Sequence, residues 1–297
     1  MSEERKSVLA IDFKNIFMGG QYGKPQLNSH GFNIQGVRNF FMKLAQLKEL
    51  INPDYIIMAL DTPRTETFRR AMYPKYKSQR RPGDPELGKQ LSVTKDICNA
   101  CGFPLLGYQG YEADDILGMV SVLATDNNMN AYIVSTDKDM YQLINDHVYI
   151  ISPRIDEMIT PEYVQKRYEL DPRQWIDLKV LQGDRSDNIP GIVGIGETTA
   201  LQLMHKYGCV DAIYDKISTV KPSCRKLLED GQENLDITRK LVTIVTDYKL
   251  ANLTVHHLKR KHIYPEEVYE LLEGLELGYL WNTFRFNLLQ VKGKESE

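Results

Sequence analysis

The chain has 297 residues, is 42% hydrophobic and 26% charged, and carries a formal net charge of −3 with a pI of about 6.1. That length can bury a core without disulfide or metal staples, and the composition excludes disordered and collagen-like chains. The acid surplus also excludes a uniformly basic nucleic-acid binder.

The elements follow in chain order. The start, MSEERKSVLAID, is charged and lacks the apolar stretch of a signal peptide. No apolar run reaches the roughly 18 residues that span a bilayer, so a cytoplasmic protein without membrane contact is expected. SVLAI (7–11) reads as a strand ending at Asp12, and YIIMAL (55–60) as a second ending at Asp61. Between them VRNFFMKLAQLKEL (37–50) repeats apolar residues at helical spacing. LSVTKDICNACG is helical in pattern, which makes Cys98 and Cys101 small buried thiols on a helix. Their C-x-x-C lacks the second pair that a zinc site needs, and Cys209 and Cys224 do not supply it. FPLLGY (103–108), AYIVST (131–136) and VYIIS (148–152) are further strands, and DDILGMVSVLA (114–124) is a helix. Strands alternating with helices predict an α/β fold with a mostly parallel central sheet flanked by helices.

From about residue 160 the strand signal fades. PEYVQKRYEL, PRQWIDLKVLQ and ETTALQLMHKYG read as helices, with Pro near the first turn of the first two. The stretch 265–284 is helical again, and the charged KGKESE at 292–297 reads as a frayed end. The expected organisation is an α/β core over 1–160, a helical region over 161–250, and C-terminal helices over 251–297 packed on the core.

The informative feature is where acids fall. Asp12 and Asp61 follow strands directly; Glu112, Asp114 and Asp115 stand in GYEADD; Asp137 and Asp139 stand in STDKD; Asp184 and Asp187 stand in GDRSDN. Singly, each cluster is explained by helix capping or by a turn. Together they stand near strand ends, and in open α/β sheets the ligand crevice lies at the carboxyl ends of the strands. Asp184 and Asp187, three apart, share a face if they lie on a helical turn. Nine carboxylates in one pocket repel unless cations neutralise them. Oxygen-only donors suit hard cations such as Mg²⁺ or Mn²⁺, and two such ions are the usual device for phosphodiester cleavage.

Residues 62–81 hold seven cations (Arg64, Arg69, Arg70, Lys75, Lys77, Arg80 and Arg81) against one acid, Glu66. Tyr73 and Tyr76 are interleaved with them, and cations with rings suit single-stranded nucleic acid. The plainer alternative is a solvated basic loop. GIVGIGETTALQLMHKYG (191–208) carries Gly191, Gly194 and Gly196 without a preceding strand, so it is no dinucleotide fingerprint. A tight glycine hairpin ahead of a helix N-terminus can bring N–H groups to phosphates; an ordinary turn between helices is the alternative.

These motifs resemble the 5′-nuclease family: the 5′→3′ exonuclease domain of bacterial DNA polymerase I, stand-alone bacterial and phage enzymes, and more distantly flap endonucleases. The resemblance rests on Ala59–Asp61, FRRxxYPKYKSQR at 68–80, GYEADD at 110–115, STDKDMYQL at 135–143 and GDRSDNIPGIVGIGETTA at 183–200. It continues weakly through 271–284, and without polymerase domains the chain resembles a stand-alone member. It implies a metal-dependent, structure-selective hydrolase of DNA with free 5′ ends or 5′ flaps, acting in replication or repair as a monomer. Cleavage would leave 5′-phosphate and 3′-hydroxyl ends; an RNase acting on RNA primers is the alternative.

The resemblance also implies roles. Asp12, Asp61, Glu112 and Asp114, with Asp115 close by, would form one metal group, and Asp137, Asp139, Asp184 and Asp187 a second. Lys77 and Arg80 would approach the scissile phosphate from a basic arch at about 62–90, and Tyr76 would stack on a base. Arg69, Arg70, Tyr73 and Arg81 would join them on DNA. The hairpin at about 184–208 would be a helix-three-turn-helix, with Gly191, Gly194, Gly196, Thr198 and Thr199 on duplex backbone and a K⁺ ion at the Val193 and Ile195 carbonyls. The chain departs from polymerase-linked members in having Phe13 where they have Gly and Gly19 where they have Arg. Lys14 is the candidate to take over the phosphate that such an Arg would hold. Thr198 stands where many relatives carry Lys.

Overall fold

Aliphatic runs bounded by acids and turns become the strands of one six-stranded sheet in a computed structural model that describes residues 5–81, 83–153 and 157–290. Strands β1 (Ser7–Asp12), β2 (Tyr55–Ala59), β3 (Leu105–Leu106), β4 (Asn130–Val134) and β5 (Val148–Ser152) are parallel, and β6 (Glu157–Ile159) closes one edge antiparallel. Their order is β3-β2-β1-β4-β5-β6. The chain builds outward from β1 to β3, then crosses back to lay β4 on the other side of β1. That reversal opens a crevice at the carboxyl ends of β1 and β4.

Helices α1 (Phe13–Gly19), α2 (Gln35–Ile51), α3 (Phe68–Met72), α4 (Pro85–Ala100) and α5 (Ala113–Asp126) fall between the strands. After the sheet come α6 (Pro161–Tyr168), α7 (Trp175–Gln182), α8 (Glu197–Tyr207), α9 (Val210–Asp215), α10 (Pro222–Gly231), α11 (Leu235–Val242), α12 (Val255–Leu258) and α13 (Pro265–Gly274). Every residue of β1 is buried, as a parallel strand covered on both faces requires. Val8 and Ala10 face a core shared with α5, α7, α8 and α11, whereas Leu9 and Ile11 face one shared with α2, α4 and α13.

The mostly parallel α/β expectation holds, with local differences. FPLLGY keeps two strand residues, because β3 pairs only with Met58 and Ala59 at the sheet edge. β6 is absent from the sequence expectations, since three residues are too few to show a period. The helix predicted over 265–284 stops at Gly274; Glu276 turns left-handed at φ 61°, and short helical turns follow. Cys98 and Cys101 are buried free thiols, and burial pushes the Cys101 thiol up to about 12, so neither is reactive. The 292–297 end lies outside the described residues. Among the described residues no helix is long and apolar enough to cross a membrane.

Candidate active site

Capping rules place the first carboxylates. Asp12 ends β1 and caps α1, accepting from Asn15 N at 3.2 Å. Glu112 caps α5 in a capping box with Asp115, whose carboxylate accepts from Glu112 N at 3.0 Å. Asp137 follows β4 and accepts from Asp139 N at 2.9 Å. Asp61 follows β2 and accepts from Ala113 N at 3.0 Å, which ties it to the start of α5. The capping explanation is therefore correct, and because these caps sit at strand ends it also brings the acids together.

Asp12, Asp61, Asp114 and Asp137 interact as one charged group. Burial pushes the Asp12 carboxyl up to about 7, with the Asp61 charge adding to it. Burial also drives Asp114 well above the carboxylate range, helped by Asp137 and Asp12. Ser135 Oγ donates to Asp12 across the sheet reversal at 3.0 Å, and Asn15 Oδ1 accepts from Thr136 N at 3.0 Å. Among the described residues no Lys or Arg forms a salt bridge with Asp12, Asp114 or Asp137, and Lys14 stands 4.0 Å from Asp61.

The other acids in the crevice already hold cations. Lys179 Nζ lies 2.8 Å from the carboxylates of both Asp139 and Asp184. Burial pushes Asp139 up to about 6 against the pull of Lys179. Against burial, Lys179 and Ser186 hold Asp184 below its usual range. Lys77 Nζ lies 2.5 Å from Glu112 and 3.5 Å from Asp187, and Arg80 pairs with Asp187. Against burial, Lys77 and Arg69 keep Glu112 low.

Several expectations need correction. Asp115 is fully buried and paired with Arg69. Its carboxylate takes both terminal nitrogens of Arg69 at 2.7 Å and accepts from Val245 N at 2.9 Å. Arg69, 3% exposed, is thereby removed from the surface where DNA was expected to meet it. Tyr76, also 3% exposed, donates its hydroxyl to Glu112 at 2.7 Å and has no face free for a base. Asp184 and Asp187 do not share a helical turn. Helix α7 ends at Gln182, and the Asp184 carboxylate accepts from Ser186 N and Asp187 N at 2.8 and 3.2 Å, closing a tight turn instead. The nine acids are thus three populations rather than one pool.

The donor chemistry still suits a hard cation: oxygen ligands only, partly buried, and mutually repelling in the Asp12 group. Among the described residues, no three Asp, Glu, His or Cys side chains stand together as a ready-made metal cage. Mg²⁺ does not need one, because it commonly takes one or two carboxylates and keeps several waters.

The basic segment beyond α3 lies across the crevice. Lys77 adopts a left-handed φ of 50°, and its N–H donates to Asp187 O at 2.8 Å. Gln79 Nε2 donates to Arg185 O and Ser186 O at 3.1 and 2.9 Å, and Asn188 Nδ2 donates to Lys75 O at 2.7 Å. Arg70, half-buried, donates to Tyr76 O at 2.7 Å. Tyr73 is half-buried, and Arg80 and Arg81 are exposed. Asp61, Lys77, Arg80, Arg81 and Glu112 line a crevice of about 560 Å³.

Behind the 184–188 turn the glycine hairpin joins α7 to α8. A Cβ on Gly191 would stand 2.3 Å from Gly183 N, so only glycine lets the chain cross there. Gly194 needs its φ of 90°. Gly196 caps α8 without a side-chain bond, and Thr198 is exposed and Thr199 half-exposed on its first turn. Val193 is 86% exposed, whereas the Ile195 side chain is buried. Lys179 is the residue that sequence reasoning missed. Its signal is the run Leu178–Leu181, in which a lysine is buried among three aliphatics.

The chain matches two family models: residues 7–169 match the N-terminal resolvase-like domain of 5′-3′ exonuclease, and residues 170–266 its C-terminal SAM fold. It is 32% identical over 279 residues to a 5′-3′ exonuclease of Aquifex aeolicus, covering 93% of this chain and 94% of that one. It is 35% identical over 284 residues to the thermostable DNA polymerase I of Thermus thermophilus, covering 95% of this chain. It spans about a third of that polymerase's length (33%). The fold is that of the bacteriophage T5 D15 flap endonuclease, solved with DNA and metal ions, at a TM-score of 0.69 and 20% identity over 91% of this chain and 100% of the other.

Proposed function

The chain belongs to the 5′-3′ exonuclease family, and on that premise we propose that it is a metal-dependent, structure-selective nuclease hydrolysing DNA at free 5′ ends and 5′ flaps. The observation that carries the reading is the mutually repelling set Asp12, Asp61, Asp114 and Asp137, whose Asp61 lines one crevice with the cations Lys77 and Arg80. The RNA-primer alternative gains no support from the matched families or from the DNA-bound neighbour.

In this reading Asp12, Asp61, Glu112 and Asp114 hold one Mg²⁺ or Mn²⁺, and Asp137, Asp139, Asp184 and Asp187 a second. The bound ions supply water activation and charge neutralisation at the phosphate. The chain's own residues do the rest. Lys77 and Arg80 exchange the Glu112 and Asp187 carboxylates for phosphate oxygens, positioning the scissile bond and stabilising its developing charge. Lys179 orients Asp139 and Asp184. Arg70, Tyr73 and Arg81 guide the single strand. Gly191, Gly194, Gly196, Thr198 and Thr199 grip duplex backbone, and the Val193 and Ile195 carbonyls take K⁺. Products carry 5′-phosphate and 3′-hydroxyl ends.

The test is a 5′-labelled flap or nicked duplex incubated with Mg²⁺ or Mn²⁺. Cleavage near the junction is expected, and silence with both ions overturns the reading. Asp114→Asn should abolish cleavage while leaving flap binding in EDTA close to wild type; unchanged turnover would remove Asp114 from the site.

A further inference from the structure

A second groove, of about 610 Å³, runs along the outer edge of β3. Its walls are Pro104–Tyr108 on one side and His256, His257, Lys259, Arg260 and Lys261 on the other. No carboxylate lines it among the described residues. The segment behind it, 255–264, holds two lysines, one arginine, three histidines and no acid.

The groove is built rather than incidental. Arg260 donates to Cys101 O at 2.6 and 2.8 Å and to Leu288 O at 2.7 Å, and it lies 4.4 Å over the Phe103 ring. It pins the segment, with its N–H groups taken by carbonyls. Lys261 N donates to Gly102 O and Tyr264 N to Ala100 O, both at 2.8 Å, so the backbone is fixed as well. Lys259 and Lys261 remain exposed, with ammonium groups that pair with no carboxylate among the described residues. Free cations on a fixed backbone lose little order when they take up an anion.

The groove adjoins the crevice, because residues of the two walls touch. Thr62 lines the crevice, and its hydroxyl donates to Tyr108 O at 2.7 Å. Leu60 packs on Gly107, where a Cβ would stand 3.2 Å from it. The crevice lining includes Lys14, Arg64, Arg81 and Lys95 beside Asp61 and Glu112. Cations thus line both the crevice and the neighbouring groove. Residues 104–108 span roughly 13 Å at strand rise, room for two successive phosphates of one DNA strand.

We propose that this groove binds the sugar–phosphate backbone of the DNA substrate outside the crevice, with Lys259 and Lys261 as phosphate contacts. An acidic protein would match its charge; adjacency to the crevice favours DNA. The inference rests on the nuclease reading.

The test measures binding of a fluorescent 5′-flap duplex in EDTA across a salt series. Lys259→Gln with Lys261→Gln should weaken binding and lower the slope of log K against log salt by about two, one for each phosphate no longer neutralised. Lys166→Gln with Arg167→Gln on α6, beside β6 at the opposite sheet edge, removes the same charge and should keep the wild-type slope. Matching melting curves exclude misfolding, and Lys259→Glu with Lys261→Glu should weaken binding further. An unchanged slope in the groove variants, or equal weakening in groove and control variants, overturns the proposal. Failure of the nuclease reading is a separate result: wild type that neither cleaves nor binds the flap.

Discussion

Asp114 and Asp115 are neighbours in the chain with opposite fates. On a helix their side chains diverge by about 100°, so one meets the crevice and the other meets Arg69. The Asp115–Arg69 pair is bidentate and buried, and removing one partner leaves an uncompensated charge. Asp115→Asn should therefore cost about 3–5 kcal/mol in urea unfolding; abolished cleavage with unchanged stability would instead make Asp115 a metal ligand. Lys77→Ala should lower kcat about 10²–10³-fold, as removal of one donor to a developing oxyanion does. A raised KM with kcat intact would show Lys77 to be a binding residue alone. Lys179 was hidden by its type: a lysine in a helix normally reaches water, and only the packed fold shows this one between Asp139 and Asp184.

At the scale of elements, strands were legible where an aliphatic run of five or more ended in an acid, as in β1; the run at 103–108 was legible as a strand but not its shortness in β3, and the three-residue β6 was not legible. The glycine hairpin was legible as a turn, but its closeness to α7 was not. That closeness sets a prediction. Gly191→Ala must push Cβ against the Gly183 and Gln182 backbone, and overpacking of this kind costs about 1–3 kcal/mol. Gly196→Ala meets open space at a negative φ and should cost less than about 1 kcal/mol. Urea midpoints of the two variants decide; equal destabilisation would mean that the crossing is not tight.

At the scale of the molecule, the C-terminal turns are held by cations on carbonyls. Lys48 on α2 donates to Asn287 O at 2.5 Å, and Arg260 donates to Leu288 O. Burial, with Arg260 nearby, lowers the Lys48 ammonium to about 8 from an ordinary 10.5. The folded state thus binds its proton less tightly than the unfolded chain. The cost to stability is complete below pH 8 and fades as pH rises towards 10.5. Lys48→Met should melt higher than wild type at pH 7, by a margin that shrinks between pH 8 and 10.5; a constant margin would refute this origin. The net charge of −3 also acquires its meaning at this scale, because it averages an acidic crevice with the basic segment laid across it. The sequence by itself determined the α/β core, the strand-end acids, the basic segment and the glycine hairpin, because periodicity, capping and glycine spacing are local properties of the chain. Only the tertiary structure decided which acids repel one another, which are tied to Lys77, Lys179 or Arg69, and which cations stay free. Most of that pairing joins residues tens to more than a hundred positions apart, as in Arg69–Asp115, Lys77–Glu112 and Lys77–Asp187, and no local pattern encodes their distance.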